Sequence, residues 1–224
     1  MTAARRARIR GISTAEVLVG GALTLVIMAI SASFFQAQQK ALNTENTYTE
    51  SQAVTRTVID LFSRELRMAS YDPTLAALPP APGPNCPTVP QGIVEATTTS
   101  IRFKQDLNGN GVIDGANEDV RYALAEGQIT RTDGLAVTTA LVTGVPANGL
   151  AFRYFNGSNP PIELVPVGVP PATPALTPGQ RDCVAKVQIT VSANIANPNP
   201  SIQTPITSTA ESRIAIRNRS LSSF

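Results

Sequence analysis

The side chains best suited to chemistry in this 224-residue chain are oxygen-bearing groups that recur at alternating positions in one short loop. Asp106, Asn108 and Asn110 are two residues apart, and Asp114 and Glu118 follow them. Carboxylate and amide oxygens are the ligands that Ca²⁺ prefers in proteins. The spacing therefore predicts a calcium site, of low affinity because two of the side chains are amides.

This loop resembles the calcium loop of EF-hand proteins. Ligand positions 1, 3, 5, 7 and 9 are filled by Asp106, Asn108, Asn110, Val112 (through its carbonyl) and Asp114. Gly111 stands at position 6, where the loop must turn sharply. Position 12 is Asn117 instead of a bidentate glutamate, and Glu118 comes one residue late. The alternative is a hairpin loop whose Gly, Asn and Asp residues satisfy their own backbone, with no metal.

A second candidate is a single carboxylate at the start of an apolar segment. Residues 17–35 carry no formal charge, and about 20 apolar residues are needed to cross a bilayer as a helix. Glu16 precedes this segment, and an acid in a membrane segment is by default functional. The arginines upstream of it predict that the N-terminus stays on the cytoplasmic side. The alternative is a plain anchor with Glu16 at the membrane interface.

Composition excludes several classes of function. The chain has no histidine, which excludes Ser-His-Asp and Cys-His catalysis, and it has no G-x-S-x-G motif, so we do not expect an enzyme. Four arginines and no acid lie in residues 1–11, so the rest of the chain has 14 basic and 16 acidic side chains. The basic character belongs to the N-terminal segment and does not predict nucleic-acid binding.

The two cysteines, Cys86 and Cys183, are far apart in sequence. Two sulfurs without histidine cannot complete a zinc site. If the N-terminal segment anchors the rest of the chain outside the cytoplasm, the surroundings favour a disulfide. Such a bond would stabilise the fold by up to about 4–5 kcal/mol in the chain-entropy model. The alternative is a pair of buried free thiols.

The longest element that the sequence predicts is a helix. No proline occurs from residue 12 to residue 71, and Pro73 ends the helix. Apolar residues recur along one face of its second half, at Val54, Val58, Leu61, Phe62, Leu66 and Ala69. A single helix from about residue 12 to residue 69 would be about 85 Å long. The alternative is a membrane helix followed by a separate short helix.

Strands follow a proline-dense connection at residues 74–92. They are predicted at residues 93–96, 100–104, 120–124, 128–131, 150–155, 185–191 and 213–217. In the clearest of them Ala185, Val187, Ile189 and Val191 share one face, which indicates an antiparallel sheet with one buried face. The predicted fold class is α+β, with a long N-terminal helix packed against an antiparallel β-sheet head.

At the N-terminus, Gly11 followed by residues 12–19 (Ile-Ser-Thr-Ala-Glu-Val-Leu-Val) resembles the class III signal of type IV pilins and type II secretion pseudopilins. In that family a prepilin peptidase cuts after the glycine and methylates the new amine. The resemblance implies cleavage between Gly11 and Ile12, N-methylation of Ile12, and pairing of Glu16 with the amine of a neighbouring subunit. The usual first mature residue is phenylalanine, from which Ile12 departs.

The same resemblance implies a type IV pilin-like fold and a division of the chain into four parts. Residues 1–11 would be the leader peptide, and residues 12–35 the transmembrane or filament-core half of the helix. Residues 36–72 would be the half that packs on the head, and residues 73–224 the globular β-rich head.

Short motifs narrow the resemblance to PilW-type minor pilins. They are the end of the predicted helix (Arg67-Met68-Ala69-Ser70-Tyr71), residues 101–103, the loop from Asp106 to Gly111, residues 120–122 and residues 216–218. The implied function is to prime assembly of a type IV pilus, with the tip as a candidate position, and so to serve motility or cell adhesion. The alternative is the J-type minor pseudopilin of type II secretion.

The implied partners are other minor and major pilins, the prepilin peptidase, the inner-membrane assembly platform and membrane lipid, without nucleic acid. The implied location is the inner membrane, with the head outside the cytoplasm, and then the pilus fibre on the cell surface.

Overall fold

The computed structural model describes residues 13–78, 92–168, 173–199, 202 and 204–217. The chain divides into two compact units, Met1–Asn46 and Thr47–Phe224. The predicted leader, Ile12, Cys86 and most of the proline-dense connection lie outside the described residues.

Helix α1 is continuous from Thr14 to Met68, which confirms one long helix and not two. Every residue from 13 to 43 is exposed. The most apolar window of α1 has a mean hydropathy of 2.2, and none of it is buried. This helix is long and apolar enough to cross a membrane, although an N-terminal signal sequence would satisfy the same test.

The unit of residues 47–224 contains two antiparallel sheets where one was expected. The first has the order β1-β2-β3-β4-β5 and the second the order β7-β6-β8-β9. The first sheet consists of β1 (Ile93–Ala96), β2 (Ser100–Lys104), β3 (Asp119–Ala125), β4 (Gln128–Thr132) and β5 (Thr138–Thr143). The second consists of β6 (Leu150–Phe155), β7 (Glu163–Leu164), β8 (Lys186–Ile195) and β9 (Ile206–Ala215), with the short helix α2 (Pro178–Asp182) before β8.

All seven predicted strands are present, but β5, β7 and α2 were not predicted. Strand β5 was not predicted because its first three residues, two threonines and an alanine, are all exposed and show no apolar alternation. Strand β9 begins seven residues before its predicted start at residue 213. Its first half is lined by small and polar residues, and Ser208 is buried against Thr55 of α1, with the two hydroxyl oxygens 3.2 Å apart.

The hydrophobic core forms where the second half of α1 meets both sheets. Phe62 of α1 is fully buried. Its ring centroid lies 4.1 Å from that of Tyr122 in β3 and 6.0 Å from that of Phe152 in β6. Burial of Val58 and Leu66 on the same face confirms the predicted apolar face. Because one aromatic residue contacts both sheets, α1 is the central element of this core.

Beside this packing, Glu65, Tyr122 and Arg131 form a polar joint between α1 and the first sheet. The Tyr122 hydroxyl donates to Glu65 Oε2, and Arg131 Nε of β4 donates to Glu65 Oε1 at 3.1 Å. Glu65 and Arg131 are both largely shielded from solvent, with 19 % and 16 % of their side chains exposed. Burial and the Glu65 carboxylate raise the pKa of Tyr122, so its hydroxyl remains a donor at physiological pH.

Candidate functional site

The first turn of α1 is closed by its own side chains. The Ser13 backbone N–H donates to Glu16 Oε2 at 2.9 Å, and the Ala15 N–H donates to Ser13 Oγ at 3.3 Å. Ser13 is therefore the N-cap residue, with its hydroxyl accepting the N–H of N2, and Glu16 at N3 accepts the Ser13 N–H as the glutamate of a capping box does. The sequence contains the S-x-x-E spacing that is typical of such a helix start, but this cap was not predicted from it.

Around this turn the surface is apolar and solvent-exposed. Val17, Leu18 and Val19 are 62 %, 71 % and 60 % exposed. Among the described residues, no ion pair includes Glu16. A carboxylate thus stands next to an apolar helix surface that no described residue of its own unit covers. The two predicted processing residues, Gly11 and Ile12, lie outside the described residues.

The oxygen-rich loop between β2 and β3 is held together by its own amides. Asp106 is fully buried; its Oδ1 accepts the Gly109 N–H at 2.8 Å and its Oδ2 accepts the Gly111 N–H at 2.9 Å. Asn108 Oδ1 and Asn110 Oδ1 each accept the N–H two residues further on, at 2.8 Å. The positive φ values of Gly109 and Gly111, 71° and 79°, favour glycine at both positions.

Glu118 closes the loop from its far end. Its Oε1 accepts the N–H groups of Leu107 and Asn108, both at 3.1 Å, and its Oε2 accepts those of Asp114 at 3.0 Å and Gly115 at 2.7 Å. Burial of this side chain would raise its pKa, but the four amide donors outweigh burial and lower the pKa. Glu118 is therefore an ionised carboxylate that organises the backbone around it.

The structure thus brings the predicted calcium ligands into one loop, but most of their side-chain oxygens, those of Asp106, Asn108, Asn110 and Glu118, accept backbone N–H groups. Asp114 accepts the side-chain amides of Asn108 and Asn110 at 3.4 and 3.2 Å, and Val112 is exposed. Asn117 Oδ1, at position 12, accepts Arg131 Nη2 at 2.7 Å. Among the described residues, no three His, Cys, Asp or Glu side chains are placed to hold a metal. This pattern is the one that the hairpin-loop alternative predicts, and calcium binding stays a prediction.

Cys183 follows α2 as its C-cap residue and is disulfide-bonded. Its predicted partner, Cys86, lies outside the described residues, so the pairing itself stays a prediction.

An apolar groove of about 490 Å³ lies between α1, β5 and the end of β8. Ser51 and Val54 line it from α1, and none of its lining residues is charged. Ser51 Oγ is buried and has no hydrogen-bond partner among the described residues. This groove was not predicted, because it is formed where the two sheets meet the helix and not by any one segment.

Comparison of the chain with protein-family models, with curated proteins and with solved structures found no match.

Proposed function

We propose that this chain is a minor pilin that primes assembly of a type IV pilus, with the fibre tip as its expected position. The observation that carries the proposal is a lone carboxylate, Glu16, at the capped start of a helix whose apolar first half is exposed. The pilin-like signal around Gly11 supports it. An apolar helix surface of this length needs a cover, which a bilayer supplies before assembly and neighbouring helices supply afterwards.

The mechanism follows from the cost of burying a charge. The anchor stores the subunit in the inner membrane with the head outside the cytoplasm. Prepilin peptidase cuts the bond between Gly11 and Ile12 and frees the amine of Ile12. An unpaired Glu16 among apolar helices would cost several kcal/mol, so subunits add in the register that pairs it with an amine. The other pilins and the assembly platform are the remaining partners.

A J-type minor pseudopilin of type II secretion is the second candidate, because the same helix start supports it. The two are separated by their partners: a pilin is recovered with pilus subunits, and a pseudopilin with secretion-system subunits.

Mass spectrometry of the mature N-terminus tests the family assignment. We expect a chain that begins at Ile12 and carries one methyl group on its amine. An intact leader, or a cut beyond Ile30, contradicts the proposal.

Glu16→Gln separates the charge of Glu16 from its capping role. Glutamine can occupy N3 of a capping box, so this variant keeps the helix start but loses the charge. We expect normal membrane insertion and at least ten-fold less incorporation into fibres, measured by immunoblotting of sheared pili and of membranes. Glu16→Ala, which loses both roles, should be no less impaired. Normal incorporation of Glu16→Gln would assign the residue to capping alone.

A further inference from the structure

Strand β5 is a free edge of the first sheet. Among the described residues, its ladder of backbone hydrogen bonds runs to β4 only, so one row of N–H and C=O groups has no protein partner. Thr138, Thr139 and Ala140 are exposed. An exposed row of this kind is a template for another strand.

The composition of β5 differs from that of the other sheet edges. Residues 134–152 carry no charge, and β5 contains no proline. Native proteins protect edges with charges, prolines, short strands, β-bulges or a covering segment, and among the described residues β5 has only the bulge at Leu141. Strand β9 carries Glu211 and Arg213, and β7 is two residues long. Strand β1 is covered where the Leu176 N–H donates to the Ala96 carbonyl at 2.8 Å.

We propose that β5 pairs antiparallel with β5 of a second copy of this chain. A free edge pairs with an extended strand, and β5 is itself an extended strand that carries no charge. An antiparallel pair about a two-fold axis joins the same edge of two copies. Because neither strand is charged, the pairing opposes no like charges. This inference goes beyond the proposed function, because it holds equally for a pilin, a pseudopilin or another membrane-anchored protein.

A bulge limits where the strands can pair. Ile129 faces Val142 and Thr130 faces Ala140, so Leu141 has no partner in β4. Since a bulge twists an edge, the regular stretch at residues 138–140 is the centre of the contact. A contact this short buries less than the about 800 Å² per partner of a standard interface. The dimer is therefore weak and forms where the anchor concentrates copies in one membrane.

Cysteine scanning tests the pairing in membranes that contain the full chain. Thr138→Cys, Thr139→Cys and Ala140→Cys are oxidised singly, and adducts are sized and identified by mass spectrometry. Residues opposite each other in an antiparallel pair have Cα atoms about 4.5–5.5 Å apart, within the range of a disulfide. We expect an adduct of twice the 23.6 kDa chain that is several-fold more abundant at one of these positions than at its neighbours. Thr209→Cys, on the exposed edge of β9, is the matched control and should give little adduct.

A charge on the edge supplies the second measurement. Ala140→Lys should lower the best adduct yield at least five-fold, whereas Thr209→Lys should leave it unchanged; unaltered thermal unfolding of both variants shows that they fold. Equal yields at all positions, or an adduct insensitive to Ala140→Lys, would mean that the anchor helices alone associate, and this overturns the proposal. No adduct, or one that contains a different protein, also overturns it.

Discussion

Glu118 and Asp106 lie in the same loop and have the same structural role. Each is buried, and each accepts backbone N–H groups with both carboxylate oxygens. Charge-assisted bonds of this type are about twice as strong as neutral ones. The β2–β3 loop is therefore ordered by two buried carboxyl side chains whose hydrogen-bond donors are backbone N–H groups.

Glu118→Gln should destabilise the protein by about 2–4 kcal/mol at pH 7, because one amide oxygen cannot replace two charged ones and its NH₂ would face N–H groups. Since the folded state lowers the pKa of Glu118 below its ordinary 4.5, its contribution is present above that value and is lost as the pH falls through the lower, folded pKa. Urea unfolding of the full chain, followed from pH 7 to about pH 3, should show the two proteins converging in acid.

The matched control for this comparison is Glu126→Gln, an exposed glutamate in the turn between β3 and β4. It should change the free energy of unfolding by less than about 0.5 kcal/mol. If Glu118→Gln is as stable as this control at pH 7, the four amide contacts contribute nothing.

Calcium binding is decided by titration of the full chain in detergent. If the loop binds the ion, calorimetry gives a heat for Ca²⁺ that Asp106→Ala abolishes and that Asp114→Asn weakens. Asp114 is exposed, so its substitution tests ligation without disturbing the buried part of the loop. If titration of the wild-type protein with Ca²⁺ gives no heat, the loop does not bind calcium.

The sequence predicted which oxygen-bearing residues share the loop but not what their oxygens bind. Asp106 and Glu118 were identified as ligands from residue type and spacing alone. Whether a carboxylate oxygen faces a cation or an amide depends on the path of the backbone between Gly109 and Gly115, which spacing does not encode. Glu16 is the converse case, because its capping partner Ser13 was readable from the sequence.

Helix α1 is fastened to the first sheet by the polar joint of Glu65, Tyr122 and Arg131, beside the apolar contacts of Phe62. Removal of one partner from a shielded charge pair leaves the other charge uncompensated, which is costly. Asn117, which accepts Arg131 Nη2, extends the same joint to the β2–β3 loop. The joint therefore connects α1 to β3, β4 and the β2–β3 loop, which all lie far from α1 in sequence.

Glu65→Ala should lower the free energy of unfolding by about 2–4 kcal/mol, because Arg131 and the Tyr122 hydroxyl lose their acceptor. Asp60→Ala, an exposed acid on the same helix, should cost less than about 0.5 kcal/mol. The measurement is urea unfolding, with Arg131→Ala completing a double-mutant cycle. A coupling between Glu65 and Arg131 below about 0.5 kcal/mol would contradict the joint.

Hydrophobic periodicity and the positions of the prolines were enough to predict α1 and the alternating strands, because those patterns arise from a single buried face. They failed for β5 and for the first half of β9. Residues 138–140 of β5 and 207–210 of β9 are threonine, serine or alanine, where a strand buried on one face would have large apolar side chains. The division into two sheets was also missed, because it depends on which strands pair across the chain and not on any one segment.

The two units of the chain differ in what holds them together. Residues 13–43 are all exposed, whereas the unit of residues 47–224 has a buried core drawn from both sheets. The second unit also contains the disulfide-bonded Cys183. The closed loop between the two cysteines of the chain would span about 100 residues, for which the chain-entropy model gives about 4–5 kcal/mol.

Reduction should lower the free energy of unfolding by about 3–5 kcal/mol, measured by urea unfolding with and without dithiothreitol. The Cys86→Ser/Cys183→Ser double variant is the control; it should match the reduced wild type and show no response to the reagent. A wild-type protein equally stable in both conditions would exclude a stabilising bond between these two cysteines.

The helix cap formed by Ser13 and Glu16 has a consequence for maturation. Among the described residues, the bonds that begin α1 run between residues 13 and 17, all of which lie on the mature side of the proposed cut. Excision of residues 1–11 would therefore leave the hydrogen bonds of the first helical turn in place. The mature chain would keep these bonds and gain a positively charged amine at residue 12, one residue before the N-cap.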